Sequence, residues 1–229
     1  LALKENKTIV DEVLLQGMHP TRFGLYQEEL DVLRSLSTPI KIQEYLDTLA
    51  INHEKKGETC MSTRRVLREQ KAHCIEGAFL AATALWLRGE SPLLLDLKTI
   101  RGDDDHVVAL YRRAGRWGAI SKTNHAPLRF RDPIYKSVRE LSASYFHEYF
   151  LDSTGQKTLR SHSNAFSLRS FGTSWITSEE DLWDIAAELD SAPHFSLFPK
   201  GAEQYIRSAD SMERKAGLST EWDATDSRT

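Results

Sequence analysis

The chain has 229 residues, 40% hydrophobic and 28% charged, with a formal net charge of −3. This is ordinary globular composition, long enough to bury a real core in one large domain or two small ones. It lacks the basic surplus of a nucleic-acid-binding protein, and no apolar run approaches the roughly 20 residues of a membrane span.

The opening LALKENKTIVDEVLLQ has neither the continuous apolar core nor the small-residue cleavage site of a signal peptide. Its TIVDEVLLQGM part, 8–18, has helical spacing. YQEELDVLRSL repeats that spacing from Tyr26, with Leu30, Leu33 and Leu36 on one face. STPIKIQEYLDTLA begins with a Ser/Thr cap and a first-turn proline, both helix-start signals. After the polar loop NHEKKGETCMS, STRRVLREQ is a short helix capped by Ser62 or Thr63.

KAHCIEGAFLAATALWLRG then predicts a helix from Cys74 to Leu87, rich in alanine and closed by Gly89. Its small residues suit burial against a sheet or another helix. SPLLLDLKTI, HVVALYRR and RWGAISK follow as short strands, the last two joined tightly at AGR. Strands after a buried helix indicate an α+β fold with an antiparallel sheet. VRELSASYFHEYFLD, TSEEDLWDIAAELDS and GAEQYIRSADSMERKA read as further helices, with the irregular or strand-like GQKTLRSHSNAFSLRSF between the first two. GLSTEWDATDSRT is a polar end expected to fray. Without repeats or a low-complexity linker, a single domain over 1–229 is expected. Its core covers about 39–150, flanked by helical extensions at 1–38 and 151–229.

Cys60 and Cys74 are the only cysteines, so a reduced, cytoplasmic protein is expected, without a zinc-type cysteine pair. Cys74 opens the buried helix, where first-turn amides favour thiolate over thiol. His106, at the head of the strand in DDDHVVALY, is the candidate base for that nucleophile. The next strand ends in GAISKTNH, which offers Ser121, Asn124 and His125 to orient the imidazole; Asn124 is the best acceptor. The Cys74 amide would provide one oxyanion donor and Gln70 a second. Arg160 and Arg207 are candidates to hold a substrate carboxylate.

These residues resemble the transglutaminase-like superfamily, over about residues 39–135. The likeness lies in HCIEGAFLAATALWLRGESPLLLDL, DDDHVVALY and GRWGAISKTN, and RDPIY completes a pattern of bacterial cysteine hydrolases of this type. The resemblance implies a papain/transglutaminase-like core, with a cysteine-bearing central helix packed on an antiparallel sheet. It implies Cys74 and His106 as catalytic residues. The family's third member is an aspartate four residues after a tryptophan; counting from Trp117, that place holds Ser121.

The expected activity is therefore acyl transfer through Cys74, His106 and Asn124, most simply hydrolysis of an amide or peptide bond as in a peptidase or deamidase. Amine transfer is the variant. No cofactor or metal is called for. The expected partner is a peptide or amide substrate, with no nucleic acid and no membrane; the oligomeric state is open. One alternative, favoured by Ser121, is a binding or scaffolding module that keeps the fold without the chemistry. A weaker one is a metal-dependent hydrolase using His53, His73, His106 or Asp103 to Asp105.

Overall fold

Local capping chemistry places the first helices. The computed structural model describes residues 22–222, so the helix expected at 8–18 lies outside the described residues, as does the tail beyond Trp222. Helices α1, α2 and α3 are Gln27–Ser35, Pro39–Thr48 and Thr63–Glu69. The Thr38 hydroxyl accepts from Lys41 N and the Ser62 hydroxyl from Arg65 N, each satisfying an amide that a helix start leaves unpaired.

Helix α4, Cys74–Leu87, is buried at every position from Ile75 to Leu85. A helix apolar on all sides needs cover on all sides. It packs on β4 (His106–Arg113) and also against α1, α2 and α3. Gly89 follows at φ 88°, the left-handed conformation that stops it.

The other strands of the main sheet are β3 (Leu93–Lys98), β5 (Arg116–Ile120), β6 (Arg131–Tyr135), β7 (Ser161–Ser163), β8 (Phe166–Ser167) and β9 (His194–Ser196). Their order is β6-β5-β4-β3-β7-β9, with β8 also beside β3, and every pairing is antiparallel. The fold is α+β. Residues after 150 thus supply three strands of this sheet. Two further strands, β1 (Ala50–Ile51) and β2 (Lys71–Ala72), form a small parallel pair that leads directly into α4.

The sheet is covered on both faces. Val107, Ala109, Tyr111 and Ile120 join the core that contains α4. Leu95, Leu97, Val108, Leu110 and Ala119 join a second core with Leu141, Tyr145 and Leu159. This is the two-residue alternation of a strand buried on both sides.

Later helices are shorter than their sequence signals suggest. The segment from Val138 is helical only over α5, Val138–Ala143, before a single 3₁₀ turn at Phe146–Glu148. Helix α6, Trp183–Ser191, starts after the acidic TSEED stretch. Asp181 is not available to a helix start, because its carboxylate accepts from Cys60 N and from Arg65. The last segment divides into a 3₁₀ turn, Ala202–Tyr205, and α7, Ser211–Gly217. Among the described residues no helix is long and apolar enough to cross a membrane.

Candidate active site

The site begins where β2 hands the chain to α4. Ala50 N donates to Gln70 O and Asn52 N to Ala72 O, fixing the approach to His73 and Cys74. His73 is the cap residue. Its N–H donates to Glu76 Oε2 at 2.9 Å, and Gly77 N closes the first helical bond on His73 O. Glu76 is fully buried, yet its carboxylate is well supplied: Thr59 Oγ1 at 2.7 Å, Met61 N at 3.0 Å and Asn52 Nδ2 at 3.1 Å all donate to it. A buried charge persists only with such partners.

Above this carboxylate His73 Nε2 lies 2.9 Å from Thr59 O, 3.4 Å from Glu76 Oε1 and 3.5 Å from Glu54 Oε1. Its ring also interacts with the Cys74 sulfur, with which it lines one cleft. Burial would lower the imidazole pKa, but the bond to Cys74 and the charges of Cys74 and Glu76 outweigh it and hold it at about 9.

His106, buried, opens β4 and also acts on the Cys74 sulfur, with which it lines the same cleft. Its Nε2 is 2.8 Å from Ser121 Oγ, which leaves Nδ1 for the sulfur. The Ser121 hydroxyl donates to Leu128 O at 2.7 Å, so it accepts from His106 Nε2–H. The serine is itself clamped: the Gln43 amide accepts from Ser121 N at 2.9 Å and donates to Ser121 O at 2.8 Å. For Cys74, burial opposes ionisation, and hydrogen bonds from His106 and His73 reverse it, bringing the thiol down to about 5. That shift favours the thiolate at neutral pH, on the first residue of a helix.

Cys74 and His106 are therefore brought together. Asn124 is not brought to the imidazole, and its expected orienting contact is corrected. Its Nδ2 donates to Trp222 O at 2.9 Å and its Oδ1 accepts from Trp222 N at 2.8 Å. Ser121 holds the imidazole instead. The reason is strand register: Ala109 pairs with Ile120, so continuing the ladder sets His106 opposite Thr123 and puts residue 121 on the His106 face. Residue 124 falls on the other parity.

Gln70 is spent elsewhere, donating to Tyr45 Oη and Leu67 O. Arg160 donates to Lys157 O and Leu159 O, and Arg207 pairs with Glu213. Sequence reasoning named His73 only as a possible metal ligand and passed over Glu76; the signal for the pair is the His-x-x-Glu spacing of a capping box, read across a helix start.

The cleft over the sulfur has a volume of about 490 Å³ and is bordered by Ile51, His53, Tyr149 and the loop 122–128, with Asn124 and His125 on its rim. Among the described residues, no three His, Cys, Asp or Glu side chains are grouped to hold a metal ion. In comparison with known proteins, the chain matches no protein-family model and no curated protein.

Proposed function

We propose that the chain is an acyl-transfer enzyme in which Cys74 is the nucleophile, hydrolysing an amide or peptide bond on a papain/transglutaminase-like core. The observation that carries this is the setting of one sulfur: first residue of a buried helix, lining one open cleft with His106 and His73, whose influence favours the thiolate. A thiolate in that setting is a nucleophile ready at neutral pH.

In the proposed cycle the Cys74 thiolate, paired with protonated His106, attacks the carbonyl carbon. The C–S bond forms, and charge develops on the carbonyl oxygen near the Cys74 N–H. As the C–N bond breaks, His106 gives its proton to the leaving amine. Water then loses a proton to His106 and attacks the thioester; the C–S bond breaks, releasing a carboxylic acid and restoring the thiolate–imidazolium pair. Ser121 keeps the His106 ring in the orientation this shuttle needs. His73, anchored on Thr59 and Glu76, keeps a positive partner beside the sulfur while His106 cycles.

The second reading, a binding module, has one specific observation in its favour. Ser121 is a neutral hydroxyl where a carboxylate would stabilise the imidazolium. The two separate on reaction with p-nitrophenyl acetate. An enzyme gives a burst of nitrophenolate, an acetyl adduct on Cys74 by peptide mass mapping, and turnover that His106→Gln abolishes. Absence of any Cys74 adduct in the folded protein would leave the binding module.

A further inference from the structure

The charges around the cleft do not balance. Asp103, Asp104, Asp105, Glu148 and Asp152 line it, against one lysine, Lys122. Lys122 does not offset them, because its ammonium is turned inward and donates to Leu46 O at 2.9 Å and Leu49 O at 2.5 Å. Glu148 is paired with Arg131, and Asp105 accepts from Thr99. Beside Asp152, Arg214 donates to the Asp152 and Ser153 carbonyls.

The carboxylates of Asp103, Asp104 and Asp152 make no ion pair among the described residues. Asp103 Oδ1 accepts from Asp104 N at 3.0 Å, whereas Asp103 Oδ2 is buried with no hydrogen-bond partner among the described residues. A carboxylate reached by water on one side only is screened less than a free one, so its charge acts further into the cleft. The turn that carries these acids runs straight into His106. Tyr149, whose hydroxyl donates to Asp104 O, ties them to the sulfur spatially. Burial first, and then the negative charges of Cys74 and Asp103 to Asp105, push that hydroxyl well above the usual phenol range. His73 and His106 offset the thiolate, and the acids lining the wall still outnumber the remaining lysine.

Resting on the reading of Cys74 as nucleophile, we infer that the substrate carries a cationic group, an ammonium or guanidinium, near the carbonyl under attack, and that Asp103 and Asp104 hold it. Methanethiosulfonates bearing a trimethylammonium, a neutral or a sulfonate tail test this on the full chain. Each forms a disulfide with Cys74 as methanesulfinate leaves. Cys60 stays silent, being buried, with burial first among the causes pushing its thiol up to about 12.

The cationic-to-anionic rate ratio should exceed that measured on 2-mercaptoethanol by about tenfold, and should shrink in high salt. Asp103→Asn with Asp104→Asn should return it to the free-thiol value. Peptidyl coumarin amides with Lys or Arg beside the scissile bond should be cleaved faster than their norleucine counterparts. A ratio no higher than that of the free thiol, or one unchanged in the double variant, overturns the inference. The neutral reagent separates the two failures. Reaction only above the ordinary thiol pKa of about 8.5 would sink the nucleophile, and the substrate with it. Fast reaction at pH 6 without charge preference would sink the cation alone.

Discussion

At the scale of the residue, the site turns on two histidines with different supports. His106 is held through Ser121 to a backbone carbonyl, a neutral relay suited to a ring that must gain and lose a proton. His73 is held over the buried Glu76 carboxylate and beside Glu54, an anionic setting suited to a ring that stays charged. This division has measurable consequences. The rate of Cys74 alkylation by iodoacetamide should rise with a midpoint near pH 5, because reactivity requires the thiolate and is lost as pH falls through that value. In His73→Gln the midpoint should move upward by at least about one unit, since one of the groups favouring the anion is gone. A wild-type midpoint near that of a free thiol would refute the electrostatic account of the site. Ser121→Ala should leave the His106 N–H buried without an acceptor and lower kcat on an amide substrate about tenfold, with KM little changed. Ser121→Thr keeps the oxygen and should recover most of the loss. Ser121→Asp should not, because a carboxylate cannot donate to Leu128 O as the hydroxyl does. Steady-state kinetics of the three variants decide it.

At the scale of the element, the site depends on how closely α4 approaches the end of β5. Gly77 makes that approach possible: a β-carbon there would fall well inside van der Waals contact with Lys122 Cβ and 3.1 Å from Lys122 Cγ. Lys122 cannot swing aside easily, since its ammonium is fixed on the carbonyls of Leu46 in α2 and of Leu49 just after it. Gly77→Ala gains helix propensity worth up to about 1 kcal/mol, but overpacking of this kind costs about 1–3 kcal/mol. The substitution should therefore lower the urea midpoint. It should also raise the alkylation midpoint of Cys74, because Ser121 moves with Lys122 and His106 moves with Ser121. A variant more stable than wild type would show that the contact is slack. The same elements show what the sequence discloses. Caps at Thr38 and Ser62, and the alanine-rich run after Cys74, are local signals, and the helices follow them. The choice between Ser121 and Asn124 depends on register, which the β4–β5 turn sets. That turn has two residues, with Arg113 paired to Arg116, and both Ala114 (φ 49°) and Gly115 (φ 75°) are left-handed. Alanine is unusual there, where asparagine or aspartate would announce the turn, so the strand ends are not fixed by inspection. Asp181 is spent in a way no local pattern announces, accepting from the backbone of a residue more than a hundred positions earlier.

At the scale of the whole molecule, the two walls of the cleft are joined from behind by the last described segment. Arg214 on α7 donates to the carbonyls of Asp152 and Ser153, and Gly217 sits against the Phe150 ring. From there the chain runs along the loop after β5. Ala126 N donates to Ser219 O, Glu221 N to Asn124 O, and Arg129 pairs with Glu221 at 2.6 Å. Asn124 closes this strap with its two bonds to the Trp222 backbone. The strap is thus secured mainly by hydrogen bonds near the surface, the kind of segment that opens at low cost. Asn124→Ala removes both side-chain bonds and should speed chymotryptic cleavage near Leu218 and Trp222 several-fold, with the amide of Trp222 losing protection in hydrogen exchange. The same variant should leave the alkylation midpoint of Cys74 where it was, because Asn124 holds the strap and Ser121 holds the imidazole. The opposite pair of results, an altered midpoint with unchanged proteolysis, would return the asparagine to the side of His106 and make the serine a bystander.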